Sequence, residues 1–311
     1  MENNTYLNIS EFIARRFDDV VITSHAVAIR LRREIVGATP QQIRTGLEGI
    51  SRLNPGRFGG SLRFEEIAGV NCGIVNFQGI EDKTKRVVWI HGGGFSFGSA
   101  RVYKATAIFL AKALKCEIIL PEYRLAPEHP YPAQVDDVYS VFLDVVKRRG
   151  DTYLIGDSAG GNLAACTVMK SIKEGTPLPA KLALLSPWMD LSKRSKSNTQ
   201  NESEFSPFDN LDTVAFSRGY IGEMKENDPL VSPIFGSFDG FPETHVQVSE
   251  VEFFYSDSLR TIEGLKKSKV NVTSHVEAKS LHAWHLVPDI LPDAKRSMQI
   301  LADFFNQGLH R

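Results

Sequence analysis

The 311-residue chain is 42% hydrophobic and 23% charged, an ordinary globular composition with apolar material for one large core. A net charge of −1, with no Lys/Arg-rich run interleaved with aromatics, excludes nucleic acid as a partner, and the lack of any window of about 18 apolar residues excludes a membrane span. Cys72, Cys116 and Cys166 are odd in number, far apart and each set in an apolar stretch, so they read as buried thiols rather than a disulfide or metal framework. The polar start "MENNTYLNIS" has neither a basic head nor an apolar core, and with the thiols it predicts a soluble protein of the reducing cytoplasm.

Residues 1–50 are mostly helical in pattern and are expected to form N-terminal cap helices. The segments "SLRFEEI" at 61–67 and "NCGIVNF" at 71–77 then read as an antiparallel pair. Further strand signals follow at 86–90, 117–121, 152–156, 180–186, 244–249 and 271–277, which makes eight. Helical spacing falls between the later strands, at 101–114, 133–148, 158–173 and 257–268, and closes the chain at 292–308 with Met298, Leu301 and Phe305 on one face. Strands alternating with helices predict an α/β fold, a mostly parallel sheet covered on both faces. Residues 187–230 break the alternation, running polar before turning aromatic. Phe205, Phe208 and Phe216 need something to bury against, so this stretch is expected to be a cap insertion within a catalytic domain spanning 51–311.

The chemistry concentrates at the ends of the expected strands. In "TYLIGDSAGGNLAA", residues 152–165, Ser158 sits where a buried strand turns sharply into a helix, with Gly156 and Gly160 two positions to either side. On a parallel sheet this G-x-S-x-G spacing is a nucleophile elbow, which lifts the hydroxyl clear of the sheet at a helix N-terminus. Upstream, "VVWIHGGGFSFGS" ends a strand with His91 and three glycines whose bare backbone lets N–H groups approach a ligand oxygen. The amides of Gly93 and Gly94 would join that of Ala159 in an oxyanion hole, whereas the Lys-Ser/Thr of a phosphate loop is missing. A serine needs a base, and "SLHAWHLVP" after the last strand offers His282 and His285. His282 is assigned, because it comes first on the side where the active site of such a sheet lies. As an H-x-x-H pair the two lack a third metal ligand, so no metal is expected. In "VQVSEVEFFYSDS", residues 246–258, Glu250, Glu252 and Asp257 compete to be the acid that orients the base. The acid belongs in the loop just past the strand, which disfavours Asp257, a residue that reads as part of a helix N-cap with Ser256.

His91 to Phe95, "YRLAPEHPYPA" at 123–133, the run from Gly156 to Gly161 and "SPWMDLS" at 186–192 stand in that order and at suitable intervals. Together they resemble the hormone-sensitive-lipase-like family of α/β-hydrolase esterases, over about residues 60–310. The resemblance implies an eight-stranded α/β-hydrolase sheet, a helical cap partly built from the N-terminus, and carboxylic ester hydrolysis without a cofactor. It maps Ser158 as nucleophile, His282 as base, and Gly93, Gly94 and Ala159 as oxyanion donors, with Tyr123, Arg124 and Glu128 as supports of the oxyanion loop. Its acid motif falls on Glu252, with Phe254 in place of leucine, Ser256 in place of the first aspartate and Ser249 where glycine is usual. His129, in a Pro-punctuated turn, reads as structural, and His91 as a stabiliser of its own loop.

The parts imply a serine carboxylesterase acting through an acyl-enzyme on small esters of roughly two to eight acyl carbons, since a closed pocket of a few hundred Å³ fits little more. An amide or peptide hydrolase would use the same triad. A non-catalytic binding protein of the same fold is the other alternative, as in the gibberellin receptors, which lack the catalytic histidine that this chain keeps. An uncovered edge strand would support a homodimer.

Overall fold

Short runs of Val, Ile and Leu, bounded by Gly, Pro and polar residues, set the strands, and each appears within one residue of the expected ends. The computed structural model describes residues 38–53, 59–77, 80, 84–192, 213–289 and 291–308. The strands are β1 (Gly60–Ile67), β2 (Val70–Phe77), β3 (Lys85–Ile90), β4 (Glu117–Pro121), β5 (Asp151–Asp157), β6 (Lys181–Leu185), β7 (Thr244–Ser249) and β8 (Val272–Glu277). They form one sheet in the order β1-β2-β4-β3-β5-β6-β7-β8, and only β2 runs against the rest. The α/β-hydrolase fold expected from the sequence is therefore the one observed.

The helices are α1 (Pro40–Leu53), α2 (Ala100–Leu114), α3 (Ala133–Val146), α4 (Ala159–Glu174), α5 (Thr213–Ile221), α6 (Tyr255–Lys267) and α7 (Pro292–Asn306). Most of the expected N-terminal cap, residues 1–37, and residues 193–212 of the expected insertion, Phe205 and Phe208 among them, lie outside the described residues.

Alternation along the central strands splits the core in two. Val88, Ile90, Leu154, Leu182 and Leu184 face α3, α4 and α6, where Phe142, Leu163 and Leu265 meet them. Val87, Trp89, Ile155 and Ala183 face α2 and α7, where Ile108, Leu110, Met298, Leu301 and Phe305 close the opposite layer. Strands apolar on both faces can only be stable between two helical layers, which puts the chemistry at the sheet's carboxyl edge. All three cysteines are free and buried.

Lys181 enters this core fully buried. Its Nζ donates to Phe304 O at 2.8 Å and Gln307 O at 3.1 Å, lies 3.5 Å from Glu243 Oε2 and stands 4.6 Å from the centre of the Phe304 ring. The cation thus caps the carbonyl end of α7, where a positive charge is favoured. Lys181→Met strands those carbonyls and Glu243, and is expected to lower the unfolding free energy by about 3 kcal/mol in chemical denaturation.

Candidate active site

Ser158 stands between β5 and α4 in a backbone conformation that an L-residue rarely adopts, φ 52° and ψ −122°. The turn is held by its own amide, which donates to Leu185 O at 2.9 Å, and by its carbonyl, which accepts from Trp188 N at 3.0 Å and Gly161 N at 3.0 Å. The flanking glycines are required by close backbone approach. A Cβ on Gly156 would lie 2.1 Å from Gly160 O, and one on Gly160 would lie 2.1 Å from Ile90 O. The hydroxyl is thereby pushed out at the head of α4, and the amide of Ala159 is among those a helix N-terminus leaves without an intrahelical acceptor.

The loop after β8 brings His282 onto this hydroxyl, with Nε2 3.0 Å from Ser158 Oγ. On its other side Nδ1 lies 2.6 Å from Glu252 Oε2, and Glu252 sits in the loop between β7 and α6. A glutamate has one more rotatable bond than an aspartate, but here the arm is pinned. Its other oxygen, Oε1, accepts from Ser186 Oγ at 2.7 Å and from the Ser249 amide at 2.8 Å, and the side chain is fully buried. Ser249, the position where glycine was expected, also accepts the Ser280 amide on its Oγ at 3.0 Å, tying the acid's loop to the base's loop. Phe254 closes the site edge-on to the His282 ring, 5.1 Å between centroids, and stacks on Trp188.

The structure draws Ser158, His282 and Glu252 together and leaves Asp257 apart. Asp257 is not the helix N-cap that the sequence suggested. Phe254 holds that position, and Asp257 lies in the first turn of α6, where its Oδ2 accepts from the amides of Met189 at 2.9 Å and Asp190 at 2.8 Å. Its local appeal as a cap lost to a tertiary demand, the two buried amides of the loop after β6. Glu250 is exposed, and its amide pairs with Glu277 O.

The glycine loop after β3 carries three successive residues with positive φ, Gly93 at 114°, Gly94 at 57° and Phe95 at 62°. Phe95 tolerates this because its ring stacks on Tyr220 at 3.7 Å and its carbonyl accepts the Ala126 amide at 2.9 Å. Phe216 of α5 packs beside Gly94 and edge-on to Phe97. The Gly92 amide is engaged by Tyr103 Oη at 2.8 Å and Asp157 Oδ1 at 3.2 Å. Among the supports, Tyr123 Oη donates to His91 O at 2.8 Å, Arg124 pairs with Asp137 at 2.7 Å, and Glu128 pairs with Arg44 of α1 at 2.8 Å.

Behind the loop, Asp157 gathers donors that sequence reading did not identify. Its Oδ2 accepts from Tyr103 Oη at 2.6 Å, and its Oδ1 from Trp89 Nε1 at 3.0 Å as well as from Gly92. Asp157 was visible in the serine motif, but nothing local marks Tyr103 or Trp89 as its partners. Burial raises the Asp157 carboxyl to about 6 despite these donors. Burial lowers His91 to about 4, and burial, with His282 nearby, lowers His285 to about 3. His91 lies stacked on Tyr123 with Nδ1 2.8 Å from Gly92 O. His285 is buried edge-on to Trp284, and among the described residues no group of three or more His, Cys, Asp or Glu side chains is placed to hold a metal ion.

Residues 87–286 match the family model described as the alpha/beta hydrolase fold. An esterase from Acinetobacter venetianus is 30% identical over 269 residues, covering 85% of this chain and 88% of the relative. An acetyl-hydrolase from Streptomyces hygroscopicus is 29% identical over 223 residues, covering 71% of this chain and 75% of its own. The crystal structure of an esterase from the bacterial hormone-sensitive lipase family superposes with a TM-score of 0.84 at 27% identity, covering 90% of this chain and 96% of that one.

The buried histidines make the fold sensitive to acid. Unfolded, each would take up a proton below about pH 6.5, but in the native protein His91 does so only near 4 and His285 only near 3. The unfolded chain therefore binds more protons in that window, and stability falls as the pH drops from 6.5 toward those values. Asp157 acts in the opposite sense: raised to about 6 from 3.8, its burial weakens the fold as the pH rises between those values. His285→Gln is expected to flatten the fall of Tm between pH 6.5 and 4 relative to the unaltered protein, read by thermal scans in buffers of equal ionic strength.

Proposed function

Since the chain belongs to the alpha/beta hydrolase fold family, we propose that it is a serine carboxylesterase with Ser158 as nucleophile, His282 as general base and Glu252 as the acid that orients it. The observation that carries this reading is the unbroken line from Glu252 Oε2 through His282 to Ser158 Oγ, with contacts of 2.6 and 3.0 Å. Relatives named esterase and acetyl-hydrolase over most of the chain support carboxylic esters as the substrate class.

His282 Nε2 takes the proton of Ser158 as Oγ attacks the ester carbonyl, and Glu252 stabilises the imidazolium through Nδ1–H. The amides of Gly93, Gly94 and Ala159 receive the oxyanion, and each such donor is worth roughly a hundred- to thousandfold in rate. Collapse of the tetrahedral species breaks the C–O bond to the alcohol, which leaves with the proton from His282. The acyl group stays on Ser158 until a water, deprotonated by the same imidazole, repeats the sequence and frees the acid. The reading takes acyl chains of roughly two to eight carbons as the substrates, since a closed pocket of a few hundred Å³ fits little more. The same reading takes residues 1–50 and 187–230 as cap elements over Ser158, and an uncovered edge strand of the sheet as the surface of a homodimer. It places the enzyme in the cytoplasm, in keeping with three free buried thiols and with the finding that no helix among the described residues is long and apolar enough to cross a membrane.

Ser158→Ala should abolish turnover of p-nitrophenyl butyrate, by up to about a millionfold if the triad acts as a unit. His282→Ala should be as inactive, while His285→Ala keeps substantial activity; the reverse would show that the base is misassigned. Glu252→Gln should lose orders of magnitude in kcat. Asp257→Asn, which leaves the triad untouched, should act mainly on stability, so a catalytic loss confined to the Asp257 variant would move the acid there. Across p-nitrophenyl esters from acetate to palmitate, kcat/KM should be highest at short acyl chains and low for palmitate.

A further inference from the structure

The helix α1 touches the glycine loop through two side chains one turn apart. Arg44 Nε donates to Ser96 O at 2.7 Å, and Glu48 accepts from Ser99 Oγ, the N-cap of α2. Arg44 also reaches the 123–128 segment. Its Nη2 donates to Ala126 O at 2.9 Å, and Nη1 and Nη2 together hold Glu128 at 2.9 and 2.8 Å. One planar fork therefore links a carbonyl just past the left-handed stretch to a carbonyl and a carboxylate of the 123–128 segment, a geometry that a guanidinium supplies and an ammonium does not. The same two segments meet directly in only one backbone bond among those described here, Ala126 N to Phe95 O.

A run of positive φ that includes a phenylalanine persists only where surrounding contacts over-determine it. Once Phe95 is stacked and its carbonyl paired, the next peptide, whose carbonyl is Ser96 O, sets how the loop rises toward α2. Its carbonyl is held by the charged donor. We propose that Arg44 is a positioning residue for the oxyanion hole: by clamping Ser96 O, Ala126 O and Glu128 at once, it fixes the orientation of the Gly93 and Gly94 amides. Through it α1 becomes part of the active-site framework rather than only a cover. This rests on the proposed esterase function, because the clamp has kinetic meaning only if those amides bind an oxyanion.

The test uses the full chain as Arg44→Ala and Arg44→Lys, with p-nitrophenyl butyrate as substrate and an aliphatic trifluoromethyl ketone as inhibitor. The inhibitor adds Ser158 Oγ to its carbonyl carbon, and the resulting hemiketal oxyanion lies in the hole. Arg44→Ala should lose about 30- to 100-fold in kcat with KM changed less than threefold, since displacing oriented groups by an ångström costs about that much. Inhibitor affinity should fall by a similar factor, and tens of millimolar guanidinium should restore part of kcat in this variant alone. Arg44→Lys keeps the charge without the fork and should lose more than about threefold in kcat but less than Arg44→Ala, which keeps the proposal open to refutation if the alanine variant does not fold. A kcat within threefold of the unaltered enzyme in either folded variant overturns the clamp. So does a kcat loss without loss of inhibitor affinity, which would mark a general disturbance of the fold. Ser158→Ala, assayed alongside, separates the two levels: if it stays active the esterase reading itself falls, and if it is dead while Arg44→Ala is normal only the clamp falls.

Discussion

The left-handed backbone at Ser158 is the constraint around which the rest is arranged. A serine at φ 52° is strained, and the turn survives because Leu185 O, Trp188 N and Gly161 N all bond to it. The same turn presses Gly160 against Ile90 O, so it can form only where β3 lies directly beside β5. That adjacency delivers the glycine loop, which begins at the end of β3, to the head of α4. The Ser158 hydroxyl and the amides of the glycine loop are thus neighbours because of strand order. The end of β6 supplies the amide acceptor Leu185 O, and the loop after it the hydroxyl of Ser186 that bonds Glu252, so Ser158 and Glu252 share one scaffold.

Three of the buried carboxylates within this scaffold show how their partners decide what each can do. Glu252 gives one oxygen to fixed donors and the other to His282. Asp157 is surrounded by Trp89, Tyr103 and the Gly92 amide, an arrangement that locks the base of the glycine loop yet leaves the acid raised by burial. Asp257 holds two backbone amides of the loop after β6, with Arg260 3.9 Å from its other oxygen. Identical chemistry is thereby divided among orienting a base, bracing a loop and closing a turn. The division follows from which donors arrive, and those donors lie tens of residues away in the chain.

That distance sets what was legible in the sequence. Strands and most helices were readable, because apolar runs of strand length and 3.6-residue spacing are local properties, and helix ends moved by no more than two residues. The serine turn was readable because Gly156 and Gly160 announce a steric need, and the glycine loop because three glycines in a row have few other uses. The role of Asp257 was misread, since an acidic residue in a first helical turn looks like a cap whether or not a distant loop claims it. Tyr103 and Arg44 carried no signal, and Ser186 stood out only as the first residue of the 186–192 motif, with nothing to mark its bond to Glu252. A tyrosine in an amphipathic helix, a serine before a proline and an arginine among polar neighbours acquire their parts only when the chain has closed. Two helices of the expected cap, α1 and α5, are among the described residues, and both reach the glycine loop, α1 through Arg44 and α5 through Phe216 and Tyr220.

The histidines carry the same lesson in electrostatic form. A general base must exist in both protonation states during turnover, so its ring needs an acceptor that welcomes the positive charge. On the proposed reading His282 has one in Glu252, with its second nitrogen 3.0 Å from Ser158 Oγ. His285, three residues on, and His91, at the foot of the glycine loop, are buried where burial itself keeps the ring uncharged down to about pH 3 and about pH 4. Had His285 been protonated at the pH where ester hydrolysis runs, its charge beside His282 would oppose formation of the imidazolium. Keeping it neutral removes that repulsion without requiring any group to neutralise it. The two histidines of the H-x-x-H pattern therefore differ in what stands around them, His282 between a carboxylate and a hydroxyl and His285 buried where its ring stays uncharged.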